Sequence, residues 1–179
     1  TIYGATWVDG KFGKALSFDG INDYVEISNS NSLDFSANDD FTVSAWVKTS
    51  IGDGNRIVVT KYESGAVKKD WVLWVDNGYP VFHIRDENNV IVLAKGYTLL
   101  NDSQWHYIVG VRNASGNVSI YMDCVLENSS EDITTGSFDN NGPLYIGYLP
   151  GQPRFNGTID EIRIYNRALT PEEIRMHYL

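Results

Sequence analysis

Two stretches far apart in the chain carry carboxylates at spacings that suit a cation. Ala15 to Ile27 reads Ala-Leu-Ser-Phe-Asp-Gly-Ile-Asn-Asp-Tyr-Val-Glu-Ile, and Asn156 to Leu169 reads Asn-Gly-Thr-Ile-Asp-Glu-Ile-Arg-Ile-Tyr-Asn-Arg-Ala-Leu. In each, alternating apolar residues are broken by an acidic corner, so two half-buried strands are asked to present carboxylates and turn carbonyls near their ends. A hard cation such as calcium takes six to eight such oxygens at about 2.3–2.6 Å. The plainer alternative is that Asp and Asn bond their own backbone and simply make turns.

A second chemistry is sugar recognition, which needs aromatic faces against the apolar side of a sugar ring and a few polar groups for its hydroxyls. Trp71 and Trp74 are three positions apart, so a regular strand turns them to opposite faces. If Phe82 and Ile84 point inward, His83 and Arg85 project outward, where Trp74 and Asp76 could join them and Arg56, Lys61 and Tyr62 could border the same surface. A second patch lies in Tyr148-Leu149-Pro150-Gly151-Gln152-Pro153-Arg154-Phe155, where Tyr148, Gln152 and Arg154 offer an aromatic, an amide and a guanidinium. The bland readings are a loop over Trp74, an Arg85 paired with Asp86 or Glu87, and a Pro/Gly-braced connection.

Catalysis finds less support. Glycoside hydrolysis needs two carboxylates on one face, but Asp160 and Glu161 point oppositely, and their i+2 neighbours are Ile162 and Arg163. A lyase would need His, Tyr and Arg clustered in a cleft. His83 and Arg85 could be a remnant of that, whereas His106 between Trp105 and Tyr107 reads as packing and His177 belongs to a terminal helix. Neither a Gly-Xaa-Ser-Xaa-Gly elbow nor a His-Glu-Xaa-Xaa-His pair is present.

The elements that must position these residues are short strands. Runs of Val, Ile, Tyr, Phe, Trp and Thr between Gly/Asn/Asp/Ser clusters predict an antiparallel all-β sandwich. Phe41 to Lys48 alternates, with Phe41, Val43, Ala45 and Val47 on the core face. Strands are expected over 56–62, 71–75, 80–85, 90–94, 104–112, 118–122, 144–148 and 158–165, with Asp76-Asn77-Gly78 as a hairpin turn and 128–141 as a long polar loop. Thr170-Pro171-Glu172-Glu173 opens one helix, with an N-cap Thr, Pro at the first position and Glu at the third.

The 179 residues suit one domain with one core. A net charge of −9 without any Lys/Arg run argues against nucleic acid and anionic lipid as partners. No segment reaches the roughly 18 apolar residues of a membrane span, so no insertion is expected. Cys124 is the single cysteine and can make neither an internal disulfide nor a zinc cluster. The Asn/Gly/Ser/Thr/Tyr-rich composition leans toward an exported protein, secreted or on a cell surface.

With these residues in view, the chain resembles the laminin G-like, concanavalin A-like jelly rolls. The resemblance rests on Gly13 to Gly20, Asn22 to Val25, Phe41 to Val47, Gln104 to Tyr107, Ser119 to Asp123 and Ile159 to Leu169, which span nearly the whole chain in the expected order. It implies an all-β two-sheet antiparallel jelly-roll sandwich over residues 1–179 with a short C-terminal helix. It also implies a structural calcium between the early acidic turn and the late strand, held at Asp19, Asn22, Asp23 and Asp160. The functional expectation is a non-catalytic carbohydrate-binding module for an oligo- or polysaccharide, an accessory domain of a larger secreted enzyme or surface protein. An extracellular protein-binding or adhesion module is the alternative, and a polysaccharide-degrading enzyme the more distant one. The sequence departs from the pattern in two places: only twelve residues precede the Gly13 block, and Cys124 stands where the hairpin after Asp123 usually has Gly.

Overall fold

A computed structural model of the chain describes residues 1–63, 65 and 68–179. The strands run β1 (Ile2–Tyr3), β2 (Thr6–Asp9), β3 (Lys14–Asp19), β4 (Tyr24–Ile27), β5 (Phe41–Lys48), β6 (Asn55–Tyr62) and β7 (Asp70–Asp76). They continue as β8 (Tyr79–Arg85), β9 (Ile91–Lys95), β10 (His106–Arg112), β11 (Asn117–Met122), β12 (Val125–Glu131), β13 (Leu144–Ile146) and β14 (Asn156–Tyr165), and the helix α1 (Pro171–Tyr178) follows. Two antiparallel sheets form a jelly-roll sandwich. The first has the order β1-β4-β13-β6-β7-β8-β9 and the second β12-β11-β10-β5-β14-β3-β2.

The core lies between the sheets and follows the period-two pattern of the strands. Phe41, Val43, Ala45 and Val47 of β5 face Trp71, Leu73, Val75, Phe82 and Ile84 of β7 and β8. Gly110 in β10 is fixed by this packing, because a Cβ there would stand 2.2 Å from the Phe82 ring. Asn77 and Gly78, at φ 50° and 86°, make the left-handed hairpin turn expected between β7 and β8. The two acidic segments do meet: β3 and β14 are neighbours, with Asp19 opposite Asn156 and Leu16 opposite Ile159.

Three features depart from the sequence reading. Part of the expected loop over 128–141 is strand, because Val125–Glu131 pairs with β11. The Asp123-Cys124 turn joining them holds both residues at positive φ, 49° and 69°, which is why a glycine would suit the position of Cys124. The outer face of β5 is also buried. There α1 lays Ile174 and Tyr178 on the second sheet, and Tyr178 stacks on Trp46 with centroids 5.3 Å apart. The helix starts as expected, with the Thr170 side chain accepting from the Glu173 amide and Glu173 from the Thr170 amide.

Candidate functional site

On the first sheet, Val25, Ile146 and Val59 lie in one row of β4, β13 and β6 and point inward, so alternation turns Tyr24, Tyr145, Thr60 and Tyr62 to the outer face. Tyr3 of β1 stacks on Tyr24 at 4.4 Å. After β13 the chain turns at Gly147, whose φ of 76° and contact with Phe18 leave no room for a Cβ. This turn brings Tyr148 back onto the sheet, 5.1 Å from Tyr24 and 5.2 Å from Tyr145. The guanidinium carbon of Arg154 lies 3.4 Å from the Tyr148 ring centre and 4.8 Å from that of Tyr24, a cation–π arrangement.

Beside this cluster a cavity of about 270 Å³ opens between Tyr62, Glu63, Asn141, Gly142, Pro143, Tyr145 and Pro150. Its walls combine aromatic and proline surface with one carboxylate and one amide. Burial, reinforced by the Glu26 charge, raises the pKa of the Tyr145 phenol, and burial likewise raises that of Tyr24. Both hydroxyls therefore stay protonated at neutral pH and can both donate and accept hydrogen bonds.

The structure brings together Tyr62, Tyr148 and Arg154, which the sequence had placed in separate patches, because β13 lies beside β6. Gln152 sits half-buried in the same connecting loop, its backbone N–H donating to the Leu149 carbonyl. Arg56 has a supporting place: its Nη1 donates to the Arg154 carbonyl at 3.0 Å, while Nε and Nη2 hold Asp53. Sequence reasoning missed Tyr24, Tyr145 and Glu63. The alternation in Leu144-Tyr145-Ile146 marks Tyr145 as outward-facing, but nothing local says that β13 lies between β4 and β6.

Four expected surface residues need correction. Trp71 is fully buried in the core. Lys61 is also buried, because its register opposite Trp71 and Leu144 turns it inward. Its ammonium donates to the Asn140 carbonyl at 2.6 Å and lies 3.3 Å from Asp34. Burial lowers the Lys61 pKa, with the Asp34 charge opposing. His83 does lie on the outer face, yet it is covered and its Nε2 sits 2.9 Å from Asp70. Arg85 reaches the same carboxylate, at 3.8 Å, and not Asp86 or Glu87. Trp74 lies half-buried over His83, with ring centres 5.5 Å apart. Together they form a tied polar cluster two strands beyond β13.

The four expected calcium ligands do not fit a single ion. Asp160 stands four residues along β14 from Asn156, the partner of Asp19, a separation of about 13 Å at roughly 3.3 Å per residue. Oxygen ligands of one calcium lie within about 5 Å of each other. Two Asp side chains extended toward one another shorten a backbone separation of about 13 Å only to about 6 Å. The oxygens have other duties: Asp19 accepts the Ile21 and Asn22 amides, Asp23 accepts the Asp19 amide, and Asp160 accepts the Phe12 and Glu161 amides. Among the described residues no group of three or more His, Cys, Asp or Glu is placed to hold a metal.

The sequence profile of the concanavalin A-like lectin/glucanases superfamily matches residues 19–175. The chain belongs to this superfamily. It is 24% identical, over 96% of its length, to the botulinum-like toxin eBoNT/J of Enterococcus sp. (strain 3G1_DIV0629), of which it spans 14%. The fold is similar to the binding domain of Paraclostridial Mosquitocidal Protein 1, with a TM-score of 0.82 at 19% identity over 99% of this chain and 46% of that one. It is also similar to domain 4 of AbnA, a GH43 extracellular arabinanase from Geobacillus stearothermophilus, solved in complex with arabinotriose. That match has a TM-score of 0.77 at 22% identity, over 99% of this chain and 82% of that one. The chain thus spans about a seventh of its toxin relative and corresponds to a domain-sized part of it.

Proposed function

We propose that this superfamily member is a non-catalytic carbohydrate-binding module of a larger extracellular protein, with its ligand on the outer face of the first sheet. The observation that carries this reading is the cavity flanked by Tyr62 and Tyr145, continued by Tyr148, Tyr24 and Arg154. Phenol faces cover the apolar side of a sugar ring, while Glu63, Asn141 and the tyrosine hydroxyls bond its hydroxyl groups. Two similar structures, a toxin binding domain and an arabinanase domain solved with arabinotriose, support the same reading. Glu63 is the only carboxylate among the described residues lining the cavity, whereas a glycosidase needs two. For the acidic corners, we infer that the carboxylates act as hydrogen-bond acceptors.

Affinity electrophoresis against a broad polysaccharide panel tests the reading. Tyr145→Ala is expected to weaken retention by about tenfold or more, as loss of an aromatic contact worth roughly 1.5 kcal/mol does. Trp74→Ala, in the tied cluster, is expected to have the smaller effect. Retention unchanged in Tyr145→Ala but lost in Trp74→Ala would move the site along the sheet.

A protein-binding reading has one observation in its favour. At the sheet edge, Trp7 of β2 is 64% exposed beside a notch of about 260 Å³ lined by Leu16, Phe18, Ile146, Ile159 and Ile162 together with Lys14, Asp160 and Glu161. Capture of a protein partner, lost in Trp7→Ala and not in Tyr145→Ala, would favour it.

A further inference from the structure

The arginines of this chain divide by what holds their guanidinium groups. Arg56, Arg85, Arg112, Arg163 and Arg167 are paired with Asp53, Asp70, Asp132, Glu161 and Glu173 respectively. Arg154 and the exposed Arg175 of α1 form no such pair among the described residues, and of the two only Arg154 lies against aromatic rings. It lies over the rings of Tyr148 and Tyr24, and no carboxylate among the described residues forms an ion pair with it. Its Nη1 is buried without any hydrogen-bond partner. In a chain with 23 acidic and 14 basic residues, a guanidinium held by tyrosines and left without a carboxylate is an unfilled valence on the binding face.

We propose that Arg154 receives the carboxylate of an acidic saccharide, so that the ligand class is a uronic-acid-bearing glycan. This inference rests on the saccharide reading above. Tyr148 takes one face of the planar guanidinium, with Tyr24 to its side. Nε and Nη2, which make no hydrogen bond among the described residues and are not buried as Nη1 is, offer a fork that matches two carboxylate oxygens. Arg56 holds the main chain of Arg154 through its bond to the Arg154 carbonyl, and stacking on Tyr148 orients the guanidinium before any ligand arrives. The face is also polar along its length. Glu63 lines the cavity beside Tyr62, whereas Arg154 stands against Tyr148, and Tyr145 lies between them. A sugar chain spanning these rings sets hydroxyl groups toward Glu63 and its carboxylate toward Arg154, and the reverse orientation places two carboxylates together.

Paired probes that differ only in the charge test this. They are oligogalacturonate against its methyl ester, and glucuronate-substituted xylo-oligosaccharide against the unsubstituted chain. Binding is measured by titration calorimetry at about 0.05 and 0.3 M salt, where screening of an exposed ion pair differs. In at least one pair the acidic member is expected to bind about tenfold tighter or more, the equivalent of a charge-assisted bond. That advantage should shrink at the higher salt and vanish in Arg154→Gln, where the acidic member loses about tenfold more affinity than the neutral one. Arg154→Lys keeps the charge without the fork and should retain only part of the advantage; it also serves if Arg154→Gln does not fold. Equal binding of acidic and neutral members, or an equal loss of both in Arg154→Gln, overturns the assignment and leaves the saccharide reading standing. Retention of no saccharide of either kind overturns both.

Discussion

The carboxylate of Asp160 accepts the backbone N–H of Phe12 at 3.0 Å, joining positions 148 residues apart. Its other oxygen accepts the Glu161 amide at 2.8 Å. Asp160 thereby holds the β2–β3 turn against the second sheet, where Phe12 meets the edge of Trp46 and the Lys11 ammonium lies 4.5 Å from the Trp46 ring. The two ends of the chain are clasped by a buried acceptor.

Asp160→Asn should therefore cost about 1.5–3 kcal/mol in urea unfolding, since an amide nitrogen replaces one oxygen that accepts an N–H. A chelator should leave the wild-type melting temperature unchanged. A calcium-dependent rise in melting temperature that disappears in Asp23→Asn would instead return an ion to the early turn.

Lys61→Met should leave polysaccharide retention intact, because the ammonium lies inside the sandwich with Asn140 and Asp34 and not on the binding face. Its stability should fall by about 3 kcal/mol, because removing one partner of a buried pair leaves Asp34 and the Asn140 oxygens without their donor. Loss of retention with unchanged stability would restore Lys61 to the site.

His106 is bound on both nitrogens, Nδ1 to Asp123 at 2.8 Å and Nε2 to Asp102 at 3.0 Å. The hydrogen bond to Asp123 raises its pKa, burial opposes this, and the bond to Asp102 adds to it. With the folded value above the unfolded one, the imidazolium's contribution is complete below about pH 6.5 and is lost as pH rises through the folded pKa. Unfolding free energy measured from pH 6 to 9 should fall over that window, and His106→Gln should remove this fall.

Asp86 behaves in the opposite sense. Burial raises its pKa, but amides of Val90, Gly136, Thr135 and Asn88 outweigh it and hold the carboxyl below the ordinary range. Its contribution is present above about pH 3.9 and lost as pH falls through the lower folded value. Asp86→Asn should cost about 3 kcal/mol, read by chemical denaturation at pH 7, because an NH₂ group then faces backbone donors.

Period-two alternation, turn residues and the capping box made the sandwich, the β7–β8 hairpin and the terminal helix legible from sequence, because these depend on contacts between near neighbours. Strand order depends on contacts between distant segments, and the errors follow from that. Lys61 alternates out of phase with its expected face because the β6–β7 register shifts between Ile57 and Val59, an irregularity without a sequence mark. Trp46 reads as outward-facing until α1 covers it. The acidic corners at Asp19 and Asp160 were correctly placed on adjacent strands, yet register sets them four residues apart, too far for one ion.

By itself the sequence determined the fold class, the residues that alternate inward, and the presence of aromatic and basic groups with nowhere to go but a surface. The tertiary structure alone decided which of those groups meet. Inserting β13 between β4 and β6 gathers Tyr24, Tyr145, Tyr148, Tyr62 and Arg154 from segments far apart in the chain. Side-chain type and facing are local properties of a strand, whereas a binding face is a property of its neighbours, and neighbours are chosen only when the whole core closes.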